Sequence, residues 1–138
     1  MFLSSLLAFC IVEPTVSSQS ANPEEVNFCD LIREAAKYEG HLVRIAVYYG
    51  ATAHAALVTG KGCPSSPTEK YFAALTWGHD FDLSSKNAKS MFGLVKNGHT
   101  AEVTLVCLVH AGEKYGFYDA QVQLELKKIE AVRRYPSS

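Results

Sequence analysis

The sequence predicts a small, mainly β protein whose five strands close into a Greek-key barrel, with two short helices. Alternation of apolar and polar residues, which is typical of half-buried strands, recurs five times along the 138 residues. A stretch with helical spacing separates the third strand from the fourth, and another precedes the first. Strong β-branched and aromatic content in the alternating stretches favours strands over buried helices.

The first predicted strand, residues 41–49, is the clearest of the five. Every second residue is β-branched or aromatic, so this set can line a core while Arg44 on the other face stays solvated. Gly40 lies where the preceding helix must end, because glycine adopts left-handed geometry without strain. The predicted inward set is Val43, Ile45, Val47 and Tyr49.

The remaining strands are predicted around residues 51–60, 69–77, 100–110 and 117–131. In the fourth, alternate residues from Ala101 to Val109 point inward, whereas Glu102 and Thr104 point outward. A loop is expected at 111–116. The fifth strand is expected to turn Ala120, Val122, Leu124 and Leu126 to the core.

Two helices complete the pattern. The N-terminal one carries Phe28, Leu31, Ile32 and Ala35 on one face, with Asn27 as its cap. The second begins after Ser84 or Ser85 and stops at Asn97-Gly98. Its apolar face is Ala88, Met91, Phe92 and Val95, and we expect Met91 and Phe92 to plug the barrel. Three strands, a helix and two strands is the order of the OB-fold. The alternative is an open α+β sheet.

The length suits one domain, which we place at residues 27–132. Residues 1–21 have the short apolar run and small residues of a secretory signal peptide, although no Lys or Arg precedes the run. The run is too short to span a membrane. Residues 22–26 are expected to form a linker and 133–138 a tail. A lipid anchor at Cys10 is disfavoured by Phe9, which occupies a position that needs a small residue.

Several of these motifs resemble those of a family of uncharacterised secreted bacterial OB-fold proteins. The shared features are Cys29 in a short helix, Tyr38-x-Gly40 before the first strand, the Gly62-Cys63-Pro64 loop, and Tyr115-Gly116 before the closing strand. The resemblance covers about residues 28 to 130. His41 departs from it where a Lys is common, and Ala46 where a Gly is common. The resemblance implies the fold and a secreted or periplasmic location, and it carries no catalytic residue.

Signal cleavage would leave Cys29, Cys63 and Cys107. Cys107 falls on the inward face of the fourth strand and is expected to be a buried, reduced thiol. Cys29 and Cys63 flank segments that must dock on the barrel, so we predict a disulfide between them in an oxidising compartment. Closing a loop of about 35 residues would stabilise the fold by about 3–4 kcal/mol.

Charge and motif spacing favour no catalytic, metal or cofactor chemistry, so none is predicted. Lys and Arg number 13 against 14 Asp and Glu, which argues against nucleic acid as a partner. The histidines show no metal-ligand spacing, and no Cys-x-x-Cys occurs. The densest polar cluster is His79-Asp80-Phe81-Asp82, which is either a solvated turn or a candidate hydrolase site.

We therefore expect a secreted binding or interaction module rather than an enzyme. Its partner would be an envelope protein or a small ligand. The alternatives are a hydrolase near His79 and Asp80, or a single-strand nucleic-acid binder. An OB barrel commonly binds ligands on the face of its second and third strands and their flanking loops. The candidate ligand-binding residues are Tyr48, Tyr71, Trp77, His79 and Tyr115.

Overall fold

The computed structural model describes residues 22–64 and 70–136. The predicted signal peptide and Cys10 lie outside these residues. In chain order the elements are β1 (Glu24–Glu25), α1 (Phe28–Arg33), a 3-10 helix (Ala35–Tyr38), β2 (Leu42–Ala51), β3 (Ala56–Gly60), β4 (Phe72–Trp77), α2 (Lys86–Lys96), β5 (Thr100–Tyr115) and β6 (Ala120–Tyr135).

Five of the strands form a closed barrel, which confirms the predicted fold class. β2 pairs with both β3 and β5, and β5 continues the ring through β6. β4 closes it by pairing antiparallel with β3 and parallel with β6. With α2 between β4 and β5, this is an OB-fold-like arrangement. Closure leaves the apolar strands without the exposed edges of an open sheet.

The barrel interior is filled by the alternating residues of the strands, as the sequence predicts. Val43, Ile45 and Val47 of β2 are completely or almost completely buried, whereas Arg44 lies on the outside with its Nε 2.6 Å from Glu130 Oε1. Cys107 is buried in β5 and has no disulfide partner, and burial raises the pKa of its thiol. The predicted inward residues of β6 are also buried.

Helix α2 closes one end of the barrel, but its two predicted plug residues differ in burial. Met91 is 0% exposed and belongs to the core. Phe92 is only half-buried and packs against Tyr49 and Trp77 at the rim, because the helix turns this side of its face outward. Ser85 Oγ accepts a hydrogen bond from Ala88 N, so of the two predicted caps it is the serine that starts the helix.

The N-terminal segment packs on the outside of the barrel and is joined to it covalently. Asn27 caps α1 by accepting from the backbone N–H groups of Cys29 and Asp30. Cys29 is bonded to Cys63, with their α-carbons 5.4 Å apart, so the structure contains the predicted pair. The expected linker 22–26 is partly ordered: Glu24–Glu25 pair parallel to β2.

The β5–β6 hairpin is longer at both ends than the sequence indicates. The expected loop at 111–116 is mostly strand, and the turn lies instead over the following residues, so that Phe117, predicted in the fifth strand, is 64% exposed in the turn. At the other end, β6 pairs with β5 as far as Tyr135, so the expected tail from residue 133 begins as strand. Register shifts within the hairpin accommodate the extra length.

Replacing Met91 by Ala should lower the free energy of unfolding by about 2–5 kcal/mol, because a fully buried side chain leaves a cavity. Phe92→Ala should cost less than the roughly 3–5 kcal/mol of a fully buried Phe. The control is Leu83→Ala, since Leu83 is 51% exposed and should tolerate truncation within about 0.5 kcal/mol. Urea unfolding measures all three. Equal losses at Met91 and Leu83 would show that α2 does not plug the barrel.

Gly60 is required by the disulfide that packs against it. A Cβ at this position would lie 2.0 Å from Cys63 Sγ and 3.0 Å from the Phe28 ring. We expect Gly60→Ala to cost about 1–3 kcal/mol by overpacking. Gly50→Ala is the matched control. A Cβ added at Gly50 would have no atom within 4 Å, and alanine suits a strand better than glycine.

The cost at Gly60 should shrink when Cys29 and Cys63 are both replaced by Ala, because the sulfur that obstructs the new methyl group is then gone. Denaturant unfolding of the four proteins of this double-mutant cycle measures the coupling. An unchanged cost in the cysteine-free background would mean that Gly60 is needed for a reason other than the disulfide.

Candidate functional site

A cavity of about 620 Å³ opens on the barrel surface where α1, the start of β4 and the β5–β6 hairpin meet. Helix α1 supplies its last two residues, β4 and the residues before it supply three, and the hairpin supplies four. This binding cavity, as we name it, is lined by Ile32, Arg33, Lys70, Tyr71, Phe72, Lys114, Tyr118, Asp119 and Gln121.

Arg33 and Tyr71 form one wall of the binding cavity and hold each other in place. Arg33 Nε donates a hydrogen bond to Tyr71 Oη at 3.1 Å, and its guanidinium lies 5.5 Å from the centre of the Tyr71 ring. Arg33 Nη1 also lies 3.2 Å from Asp30 Oδ1. The arginine is thus anchored from two sides, which lowers the entropy that a ligand contact would cost.

The opposite rim is an aromatic cluster built from two loops, which we define as His54, Phe117 and Tyr118. The His54 and Phe117 rings stack with centroids 4.4 Å apart and planes inclined by 15°, and Phe117 meets Tyr118 edge to face at 5.0 Å. Tyr118 Oη donates to Thr52 Oγ1 at 3.2 Å, which joins the β5–β6 turn to the β2–β3 loop. Phe117 and Tyr118 are 64% and 40% exposed, so their rings are accessible to a ligand.

The binding cavity is locally positive although the chain has a net charge of −1. Three cationic side chains, Arg33, Lys70 and Lys114, face one carboxylate, that of Asp119. One of these cations, Arg33, is paired with the Asp30 carboxylate at 3.2 Å, so the positive charge of the lining is carried mainly by the two lysines. Neither lysine forms an ion pair with any residue that the structure describes. Such a concave site attracts anions.

Of the five ligand-binding residues predicted from sequence, the structure places Tyr71 in the binding cavity. Trp77 packs against Phe92 at the rim by α2. Tyr115 lies at the end of β5, where its hydroxyl donates to the Ala111 carbonyl at 3.1 Å and partial burial raises its pKa. The predicted set therefore does not form one site.

The His79–Asp82 cluster is a turn followed by the start of α2. His79 is exposed, whereas Asp80 and Asp82 border a second cavity of about 550 Å³ beside β6. Asp82 accepts hydrogen bonds from the backbone N and the hydroxyl of Ser84, and these lower its pKa. Its contacts are those of a residue that organises the turn before the helix.

Tyr48, the fifth predicted residue, lies on the far side of the barrel beside a buried carboxylate. Its ring packs on Tyr135 at 4.7 Å, and burial and the hydrogen bond with Tyr135 raise its pKa. Nearby, Glu102 is predicted to point outward, and its side chain, covered by its cationic partners, is only 10% exposed. Arg133 binds both of its oxygens, at 2.6 and 2.8 Å, and Lys61 donates to it as well. These bonds, chiefly that of Arg133, lower the pKa of Glu102 from 4.5 to about 2.

Sequence reasoning missed most of the binding cavity. Phe72, Phe117 and Tyr118 stand out in the sequence only as aromatics beside loops, and the cations Lys70 and Lys114 are 44 positions apart. Their proximity arises from the pairing of β4 with β6, which brings the start of β4 beside the hairpin. The sequence offered one indication of this site: OB barrels commonly bind ligands on the face of their second and third strands and in the flanking loops.

Comparison with known proteins finds no matching family model, no matching curated protein and no matching solved structure. Among residues 22–64 and 70–136, no helix is long and apolar enough to cross a membrane. The same ranges contain no group of three or more His, Cys, Asp or Glu side chains suited to hold a metal ion. The fold and the cavity define a disulfide-bonded, OB-fold-like barrel with a positively charged cavity on one face.

Glu102 should make the protein sensitive to acid. Its pKa in the folded state is below the ordinary value, so its stabilising effect is complete above about pH 4.5 and is lost as the pH falls towards 2. Glu102→Gln should lower the free energy of unfolding at pH 7 by about 1–3 kcal/mol, because hydrogen bonds to a charged group are lost. The variant should then lose less stability than the parent between pH 5 and pH 2.

Glu113→Gln is the matched control, because Glu113 is exposed on the same strand and forms no ion pair with the described residues. Urea unfolding across pH 2–7 compares the three proteins. Parallel pH profiles for Glu102→Gln and the parent would refute the assigned role of Glu102.

Proposed function

We propose that this protein is a secreted or periplasmic binding module whose ligand occupies the binding cavity and the adjoining aromatic cluster. The observation that carries the proposal is the convergence of Arg33, Tyr71 and Tyr118, with two lysines, on one concave surface. Concave sites that combine aromatic faces with a few fixed polar groups are the usual form of ligand sites in proteins. The position also suits the fold, since OB barrels bind ligands on this face.

Two features support the proposed location. The Cys29–Cys63 disulfide is of the kind that persists in oxidising compartments such as the periplasm or the extracellular space. The apolar run near the N-terminus is typical of an export signal. The resemblance to secreted bacterial OB-fold proteins agrees with both.

The binding proposal is favoured over a hydrolase at His79 and Asp80. In the structure His79 is exposed on a turn, and the neighbouring Asp82 is engaged by Ser84. A general base needs to lie within hydrogen-bond reach of a reacting group in a substrate pocket. His79 lines neither the binding cavity nor the second cavity beside β6, so no observation favours catalysis at this position.

Fragment binding tests the proposal while the natural ligand is unidentified. A set of small monosaccharide, phenol and carboxylate fragments should perturb backbone amide NMR signals around the binding cavity more than around the second cavity beside β6. Tyr118→Ala should weaken fragments that bind there by about tenfold, because a stacking surface is worth about 1–3 kcal/mol. Tyr135→Ala is the control, since Tyr135 is also an exposed aromatic but lies on the far side with Tyr48.

Perturbations spread evenly over the barrel, or concentrated at the second cavity, would contradict the proposal. So would equal weakening by Tyr118→Ala and Tyr135→Ala, because that would indicate general surface stickiness. Cys29→Ala/Cys63→Ala protein provides a further check: loosening α1 should weaken binding at the wall that contains Arg33.

A further inference from the structure

We infer that the ligand of the binding cavity is a small amphipathic monoanion, an aromatic ring system that carries one singly charged acidic group such as a carboxylate. The inference rests on the proposed function and adds the chemical class of the ligand. Three properties of the lining support it: the balance of its charges, its apolar and aromatic surface, and the volume that it encloses.

The charges of the described lining residues leave one positive charge to be compensated. Arg33 is already paired with the Asp30 carboxylate at 3.2 Å, so it adds little net charge to the cavity. Lys70 and Lys114 form no ion pair with the described residues, and the Asp119 carboxylate offsets one of the two. Ammonium groups bind carboxylates through charge-assisted hydrogen bonds, so the remaining charge favours a monoanion.

Asp119 disfavours ligands that carry more than one negative charge. Its backbone has a φ of 53° in the β5–β6 turn, and its N–H donates a hydrogen bond to the Gly116 carbonyl, so the turn itself places this residue at the cavity. A second anionic group would be repelled by the Asp119 carboxylate. Nucleic acid and acidic sugar chains both repeat their charges along the chain, and both are disfavoured on this ground.

The uncharged part of the lining suits a ring system. Ile32 and Phe72 contribute apolar surface, and the Tyr118 ring is held by the 3.2 Å hydrogen bond from its hydroxyl to Thr52. Phe117 continues the aromatic surface outward from Tyr118, which it meets edge to face. Aromatic side chains bind flat rings by offset stacking and edge contacts. A neutral sugar would pack on the same rings but would gain no ion pair from the lysines.

The volume of the cavity and the pairing of the sheet favour a small molecule over a polymer. A volume of about 620 Å³ lies in the range of pockets that enclose small-molecule ligands. Extended peptides usually gain affinity by adding a strand to a free sheet edge. Here β3 is paired with both β2 and β4, and β4 is paired with both β3 and β6. The face beside the cavity therefore offers side chains rather than an open backbone edge.

Calorimetric titration of the disulfide-bonded protein tests the inference with a matched series of probes. 2-Naphthoate carries a ring system and one carboxylate, 2-naphthamide is its neutral counterpart, and 2,6-naphthalenedicarboxylate adds a second charge. Acetate represents the anionic group alone, and maltose represents a neutral sugar. We expect 2-naphthoate to bind at least about threefold more tightly than each of the other four probes, and its binding should weaken with added salt.

Lysine variants connect this preference to the cavity. Lys70→Gln/Lys114→Gln should abolish the preference for 2-naphthoate over 2-naphthamide, while 2-naphthamide itself should bind as it does to the parent. Lys89→Gln/Lys96→Gln, which removes two exposed lysines from α2, is the matched control and should leave the preference intact.

Asp119→Asn should change binding in the opposite direction. Asparagine tolerates a positive φ, so the turn should be retained while the negative charge is removed. The variant should bind both carboxylate probes more tightly and 2-naphthamide unchanged. The larger gain is expected for the dicarboxylate, by about threefold, because its second charge meets the least compensation in the parent.

The failures of the inference and of the proposed function are distinguishable. If fragments occupy the binding cavity but 2-naphthamide binds as tightly as 2-naphthoate, or the cavity lysines have no effect, the charge assignment is wrong and the binding proposal stands. Tighter binding of maltose or of the dicarboxylate, or an Asp119→Asn protein that binds the dicarboxylate no better, would overturn the ligand class in the same way. If no probe binds while fragments still occupy the cavity, the inference also fails. If fragments do not occupy the cavity, both fail.

Discussion

The structure depends on the double pairing of β2. This strand pairs with β5 from Leu42 to Tyr49 and with β3 from Val47 to Ala51, so its central residues are bonded on both sides. The pairing closes the sheet. Because successive side chains point to opposite faces of a strand, the inward-facing residues of every strand then share one core. The parallel contact between β4 and β6 closes the ring on the other side. That contact also brings the residues before β4 next to the β5–β6 hairpin, which is where the binding cavity forms.

The second constraint is the attachment of α1 to the barrel by packing and by the Cys29–Cys63 disulfide. Helix α1 has only six residues, and four of their side chains are buried: Phe28, Cys29, Leu31 and Ile32. Such a short helix is not stable alone, so its position must come from tertiary contacts and the disulfide. Gly60 allows those contacts by leaving room for the Cys63 sulfur. The same helix carries Arg33 into the cavity wall, so the disulfide that stabilises the fold also positions the site.

Most of the predictions that succeeded depend on local patterns, whereas the misplaced end of the β5–β6 hairpin depends on pairing at a distance. Alternation identifies the inward residues, and the side-chain type predicts Asn27 as one cap and Ser84 or Ser85 as the other. The structure selects Ser85, and each cap contacts a backbone N–H only two or three residues away. The hairpin end was misplaced because pairing continues past Gly112, through an irregularity, to the Tyr115–Ala120 pair. Whether polar residues form strand or loop depends on the partner strand, which their own composition does not reveal.

The charge of the chain shows why the site, unlike the fold, could not be predicted from composition. The acidic residues Glu102, Glu125 and Glu130 are each paired with basic or histidine side chains of the strands. The field of each ion pair falls off more steeply with distance than that of a single charge, and salt screens what remains beyond about 10 Å. Lys70 and Lys114, by contrast, lie on a concave surface and have no ion-pair partner within the described ranges. A near-neutral chain therefore presents a positive cavity, because neutrality is a sum over the surface whereas recognition depends on the charges within reach of the ligand.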